Sequence, residues 1–282
     1  MKIAVASGKG GTGKTTVALA LAAVAEPEVR LLDCDVEEPN CRLFVRGGST
    51  REAVEVPMPV VDGSLCTGCG HCGEACRFNA VAVVGNTVLL FPELCHGCGL
   101  CVDVCPSGAL SEQSRTIGEI EISCDGDFLL VDGRLTVGQS MSPPLIRAVK
   151  KYGADHDGTT IIDCPPGTSC SMVAAVRGAD YVILVTEPTP FGLHDLTLAV
   201  ETLRELSIPF AVVINRADGG DGRVRDYCAA EKIDVLLEIP DRREVAEAYS
   251  RGETLLTAAP DLRDGFCRLL AAVKAAVERS TE

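Results

Sequence analysis

The chain has 282 residues, 46% of them hydrophobic and 23% charged, which is enough for one large domain and a small one and too apolar for a disordered chain. Lys and Arg total 26 against 40 Asp and Glu, a net charge of −14, and aromatics are only 4% with no Trp. Such a chain repels phosphate backbones and lacks base-stacking surfaces, so no nucleic-acid partner is expected. No uncharged apolar run reaches the ~18 residues of a membrane span. Ile3 to Ala6 reads as a strand entering a glycine turn rather than as a signal peptide, so no membrane association and a cytoplasmic location are expected.

In chain order, residues 2–7 predict a strand, followed by a glycine turn, a helix over about 14–25 and a second strand over Val29–Asp33. Between Asn40 and Ser140 the strand–helix alternation stops. A hairpin is expected there, with strands at 81–84 and 87–91 around a Gly85-Asn86 turn. Strand-like pieces follow at 116–123 and 128–131, separated by Asp125-Gly126 and closed by an Asp132-Gly133 turn. They read as a β-extension that returns the chain to its sheet. Further strands are expected at 159–163, 181–186, 210–215 and 235–239, with helices at 192–206 and 244–251 among them. The last helix carries Leu262, Phe266, Leu269, Leu270, Val273 and Val277 on one stripe, with a polar face of mixed sign, so it is read as core packing rather than a membrane-surface helix. The fold class is α/β with a mostly parallel sheet. Residues 1–57 and 111–282 form one domain, and 58–110 form a small domain inserted within it.

Gly8, Lys9, Gly10, Gly11, Thr12, Gly13, Lys14, Thr15 and Thr16 carry the spacing G-x-x-x-x-G-K-T. Glycines in this pattern let successive backbone N–H groups converge on phosphate oxygens at the positive end of the following helix. Lys14 would neutralise the β- and γ-phosphates, and the Thr15 hydroxyl would ligate Mg²⁺. An ordinary glycine turn is the competing reading; the strand before and the helix after oppose it.

Eight of the fifteen cysteines lie between Cys66 and Cys105, as C-x2-C-x2-C-x3-C twice. In a bacterial ferredoxin run, three thiolates come from one tight loop and the fourth from the other run. The two [4Fe–4S] ligand sets are therefore Cys66, Cys69, Cys72 and Cys105, and Cys95, Cys98, Cys101 and Cys76. Paired zinc sites are the alternative, but they would leave the third and fourth cysteines of each run without a role. Arg77 stands where the second run has Pro106, so the turn after Cys76 can differ. His71 and His96 fall within the loops and are read as solvent-facing or flanking groups. A purely structural role for the clusters is the competing reading, because so small a domain has little core without metal.

The run K-G-G-x-G-K-T with its extra Lys9 resembles the deviant Walker A motif of the MinD/ParA/nitrogenase-iron-protein superfamily. The resemblance implies a nitrogenase-iron-protein-like fold and an ATP-bound homodimer in which Lys9 contacts the nucleotide of the other subunit. It places Asp35, after the second strand, as the catalytic aspartate. Asp35 and Asp163 would belong with Thr15 to the Mg²⁺ shell, and the Gly167 amide would sense the γ-phosphate. Asn215 would read adenine together with the Pro240-Asp241 loop, so the nucleotides are ATP and ADP.

Among the scattered cysteines, Cys34, Cys41, Cys164, Cys228 and Cys267 are expected in the core. Cys170 lies at a spacing similar to a cluster ligand of the nitrogenase iron protein, but without the upstream partner; the C-x-x-C of Mrp-type carriers is absent. Cys124 and Cys170 stay open as transient metal ligands. The reading is an Mg²⁺-dependent ATPase in which Asp35 positions an in-line water and Lys14, Mg²⁺ and a partner Lys9 offset phosphoryl charge. Its output is the assembly or delivery of a metallocluster on an unidentified metalloprotein client. An ATP-gated electron donor to a redox client, and a positioning switch with structural clusters, are the alternatives.

Overall fold

Strands that are buried on both faces must be apolar almost throughout, and five short segments of this chain meet that condition. The computed structural model describes residues 1–25, 28–45, 47–125, 128–139 and 141–281. The chain opens with β1 (Lys2–Ala6), α1 (Lys14–Val24) and β2 (Val29–Asp33), then a single 3-10 turn at Cys41–Phe44 and a long strand, β3 (Ser49–Val61). Next come α2 (His71–Ala75), a hairpin of β4 (Val81–Val84) and β5 (Thr87–Leu90), and α3 (Leu100–Asp103). The strands β6 (Leu110–Asp125) and β7 (Phe128–Leu135) lead to α4 (Pro143–Lys151), β8 (Thr159–Asp163), α5 (Cys170–Val176) and β9 (Tyr181–Thr186). The chain ends with α6 (Pro190–Glu205), β10 (Phe210–Asn215), α7 (Arg223–Ala230), β11 (Val235–Ile239), α8 (Arg243–Ser250), α9 (Leu255–Ala258) and α10 (Arg263–Thr281).

Nine strands form one sheet in the order β11-β10-β9-β1-β8-β2-β7-β6-β3. The pairs from β11 across to β7 are parallel. Two compact units result: Met1–Arg51, Ile120–Arg134 and Ile146–Glu282 make the first, and Glu52–Glu119 with Leu135–Leu145 make the second. In the first unit Ile3, Val5, Leu31, Ile161, Ile183 and Val213 point to one face of the sheet and pack with α1 and α10 through Leu21, Phe266, Leu269 and Val273. On the other face Met172 and Val176 of α5 and Leu196, Val200 and Leu203 of α6 are buried. The second unit has a much smaller core, Cys72, Val81 and Leu110, bordered by Val61, Val83, Val88, Leu90 and the side chains of Cys76, Cys101 and Cys105.

Two local expectations are corrected, and one strand is absent from the sequence reading. Asp132-Gly133 is not a turn: both residues lie inside β7, where Asp132 pairs with Asp33 of β2, so ladder pairing overrides local turn propensity. The polar strand β3 lacks an apolar alternation in its first half and carries Pro57 and Pro59, which its edge position in the sheet tolerates. Cys267 is exposed, because Phe266 occupies the core-facing position of α10 and the next residue projects about 100° away. Cys34, Cys41, Cys164 and Cys228 are buried, and Cys124 and Cys170 are exposed. Of the expected Asp125-Gly126 turn, Gly126 lies outside the described residues. No helix among the described residues is long and apolar enough to cross a membrane.

Phe266 is fully buried between α10, α1 and the sheet. Phe266→Ala should lower unfolding free energy by about 3–5 kcal/mol in a urea titration, while Cys267→Ala should change it by less than about 0.5 kcal/mol.

Candidate functional site

Helix α1 starts directly after Gly13, whose φ of +92° and lack of a side-chain cap leave the first-turn N–H groups free for an anion. A Cβ on Gly13 would sit 2.4 Å from Asn215 Nδ2, and one on Gly8 would sit 2.1 Å from the Asp195 carbonyl oxygen. Both positions therefore demand glycine. By contrast, a Cβ on Gly10 or Gly11 would meet nothing within 4 Å, so this side of the loop is open to a ligand. Asn215 closes β10 and donates from Nδ2 to the Thr12 carbonyl at 2.8 Å, tying the end of that strand to the loop.

The second part of the site comes from the strands. β2 and β8 pair with Asp33 opposite Asp163, which sets two carboxylates side by side at the same end of the sheet. Thr15, on the first turn of α1, donates its hydroxyl to Asp163 Oδ2 at 2.6 Å. Asp33 accepts backbone N–H groups from Asp35, Asn40 and Cys41 at 3.0–3.1 Å, and so shapes the loop that follows β2. The ligand atoms of Asp33, Cys41 and Asp163 all lie within 4.8 Å of one another. Burial pushes both aspartates up, and the neighbouring Asp163 raises Asp33 further; Asp35, partly offset by Lys14, is raised by burial to about 6. Asp163 Oδ1 is buried without a hydrogen-bond partner among the described residues. Hard oxygen donors with one orphaned carboxylate oxygen beside a phosphate-binding loop suit a hydrated Mg²⁺ carried with a nucleotide.

A cleft of about 1190 Å³, open to solvent, joins these parts. Gly10, Gly11, Gly13, Lys14, Thr15 and Thr16 form its floor, Asp35 stands at one side, and Asn215, Pro240 and Asp241 stand at the other. Five predicted residues lie off its wall, Asp163 among them. Gly8 packs on Asp195 and Thr12 is bound through its carbonyl to Asn215. The Gly167 N–H donates to the Ser7 carbonyl at 3.0 Å, so sensing a phosphate would require that bond to open. Lys9 Nζ lies 3.3 Å from Glu187 Oε2, and Arg216 Nη1 lies 2.6 Å from Glu187 Oε1, so one buried carboxylate bridges two cations.

Sequence reasoning missed Asp33, Cys41, Glu187 and the wall formed by Val245, Ala246 and Tyr249 of α8. Asp33 alone left a signal, a carboxylate ending an apolar strand two residues before Asp35. The α8 wall left only a helical stripe, whose cleft-facing role arises when Tyr249 pairs with Phe44 at a ring distance of 4.7 Å.

In the second unit Cys66, Cys69, Cys72 and Cys105 line one small cavity. Cys76, Cys95, Cys98 and Cys101 line another. Gly68 and Gly97 have φ of +68° and +62°, and their missing Cβ atoms admit Asn86 Oδ1 and the Pro57 carbonyl respectively. Backbone N–H groups of Ala80 and Gly97 donate to the sulfurs of Cys76 and Cys95 at 3.3 and 3.4 Å. The Ser107 hydroxyl holds the Cys105 thiol below its usual range, whereas burial pushes Cys72 and Cys101 up. His71 and His96 are exposed, and the His96 ring stacks on Phe78 at 3.6 Å.

Carboxylates whose pKa is raised on folding destabilise the fold as pH climbs above their ordinary value of 3.8, because the unfolded chain loses its protons first. With Asp33 raised to about 8 and Asp35 to about 6, the nucleotide-free protein should lose stability progressively between about pH 4 and pH 8. Asp33→Asn should flatten that slope in melting curves taken across the range, and addition of Mg²⁺ with nucleotide should flatten it in the unaltered protein.

Residues 3–255 match the family described as the CobQ/CobB/MinD/ParA nucleotide binding domain. An uncharacterized protein of Methanocaldococcus jannaschii is 32% identical over 268 residues, covering 91% of both chains. An iron-sulfur cluster carrier protein of Pyrococcus furiosus is 26% identical over 277 residues, covering 89% of this chain and 77% of that protein. The cell division ATPase MinD of Pyrococcus furiosus has a similar fold, with a TM-score of 0.60 at 18% identity over 98% of both chains. With its loop, paired aspartates and cleft, the chain belongs to the CobQ/CobB/MinD/ParA nucleotide-binding-domain family and is an ATP-binding P-loop ATPase.

Proposed function

We propose that this ATPase carries two [4Fe–4S] clusters in its second unit, a ferredoxin-like insert, and uses ATP in a homodimer to assemble or deliver a metallocluster on a client protein. The observation that carries the reading is the sorting of eight cysteines into two cavities, each lined by three thiols of one run and the fourth of the other. Paired zinc is the competing reading, and it would leave the third and fourth cysteines of each run without a role. The likeness to an iron-sulfur cluster carrier protein over 89% of this chain supports the same output.

In the first unit, Lys14 and the N–H groups at the start of α1 hold the phosphates, and Thr15, Asp163 and Asp33 hold Mg²⁺ directly or through its waters. Mg²⁺ supplies charge neutralisation between the phosphates when bound. Asp35, half-buried with its pKa at about 6, is ionised at neutral pH and orients the attacking water. Asn215, Pro240 and Asp241 border the end of the cleft that takes the adenine. Lys9 reaches the partner subunit's nucleotide, which requires it to leave Glu187. An ATP-gated electron donor is the second reading, favoured by the exposure of Cys69 and Cys98, one thiol at each cavity mouth.

Anaerobically prepared protein should hold about eight iron and eight sulfide per chain, and Cys98→Ser should halve the intact cluster content without abolishing it. In light scattering with ATP, Lys9→Ala should keep nucleotide binding and stay monomeric, whereas Lys14→Ala should lose nucleotide binding itself. Zinc in place of iron, or a Lys9→Ala dimer of unchanged affinity, overturns the corresponding part of the reading.

A further inference from the structure

Apolar side chains left in water at a metal-site mouth mark where another surface is meant to cover them. Nine of the thirteen exposed large apolar side chains among the described residues belong to the second unit. Two of them line a cavity, and both line the same one. Phe78 and Leu100, 39% and 42% exposed, line the cavity of Cys76, Cys95, Cys98 and Cys101. Phe91, 40% exposed, is fixed beside it by its N–H bond to the carbonyl of Ala80, another wall residue. The 3-10 turn Pro92–Leu94 then raises Leu94, 47% exposed, immediately before Cys95. Stacking of Phe78 on the exposed His96 holds the aromatic face in place over the same mouth.

The other cavity differs. Its apolar lining, Val61, Val83, Val88 and Leu110, is buried or half-buried, and its exposed lining is Thr67 and Cys69; the exposed Leu65, Val84 and Leu89 are chain neighbours of that lining but not part of it. The second unit also carries eight carboxylates against two arginines, Arg77 and Arg115. Glu112 stands in the wall of the apolar-mouthed cavity, and Glu93 sits in the turn between Phe91 and Leu94. A protein surface that complements this face has an apolar centre and a rim of Lys and Arg.

We propose that the face formed by Phe78, Phe91, Leu94 and Leu100 is the docking surface for such a cationic-rimmed protein. The Cys76/Cys95/Cys98/Cys101 centre is then the port through which this protein exchanges electrons with its partner. The inference rests on the reading that both quartets hold clusters. In the exchange, one electron leaves a reduced cluster and enters an oxidised metal centre of the docked protein; no bond forms or breaks.

The test uses the full holoprotein, reduced with dithionite and desalted anaerobically, and oxidised cytochrome c as the basic probe, followed by its visible absorption. The second-order rate should fall at least about tenfold between about 20 and 300 mM salt. Leu94→Lys and Leu65→Lys make a matched pair, since each residue precedes the first cysteine of a run and each change alters net charge equally. Leu94→Lys should slow reduction at low salt at least about tenfold, and Leu65→Lys less than about threefold. Equal effects, or a larger effect of Leu65→Lys, overturn the assignment of the port. If Leu94→Lys loses iron, Phe91→Lys against Val84→Lys poses the same comparison with the same expected outcomes. Absence of iron and sulfide from the unaltered protein overturns the cluster reading itself, and is told apart by analysis before any kinetics.

Discussion

The in-register parallel pairing of β2 with β8 is the constraint on which the nucleotide centre depends. It sets Asp33 beside Asp163 at the end of two buried strands, where burial raises both carboxylates and a cation would relieve them. The same pairing orients what surrounds it. Asp33 gathers three backbone N–H groups from the following loop, and Asp163 takes the Thr15 hydroxyl from α1. Loop, strand ends and helix start are thereby tied to two side chains that a divalent cation would relieve. A cation arriving with a nucleotide removes the repulsion between those carboxylates, so ligand binding and local folding are one event at this site.

Glu187 adds a second electrostatic device. Its buried carboxylate holds Lys9 of the phosphate loop and Arg216 after β10 together, linking that loop to the end of β10. For Lys9 to serve a neighbouring subunit, this contact must be exchanged for a stronger one. Phosphate oxygens qualify, since their charge exceeds that of one carboxylate shared between two cations.

The second unit follows a different logic. Its hydrophobic cluster, Cys72, Val81 and Leu110, is far smaller than that of the first unit, and thiols complete its boundary. So few buried apolar groups supply little stabilisation, which is the situation in which metal ligation becomes part of folding. The positive-φ glycines of the two loops turn the backbone tightly enough to aim thiols inward and N–H groups at sulfur. Under the proposed cluster ligation, structure and redox capacity are properties of the same bonds.

Much was legible in the sequence because it depends on local chemistry. The phosphate loop needs glycine where the backbone turns or a neighbour intrudes, and Lys14 and Thr15 directly follow Gly13; all of this is encoded within nine residues. The buried strands were legible as short apolar runs, and the two cysteine runs by their spacing. What depends on pairing across the sheet was not legible. The partnership of Asp33 with Asp163, the bridge of Glu187 between Lys9 and Arg216, and the absorption of Asp132-Gly133 into β7 join residues 29 to 178 positions apart or override a local turn preference. The exposed Cys267 shows the same limit within one helix, where only the neighbours decide which side of α10 faces the core. Sequence determined which residues can do chemistry; long-range packing decided which of them meet, because register and burial are properties of the whole sheet rather than of any segment in it.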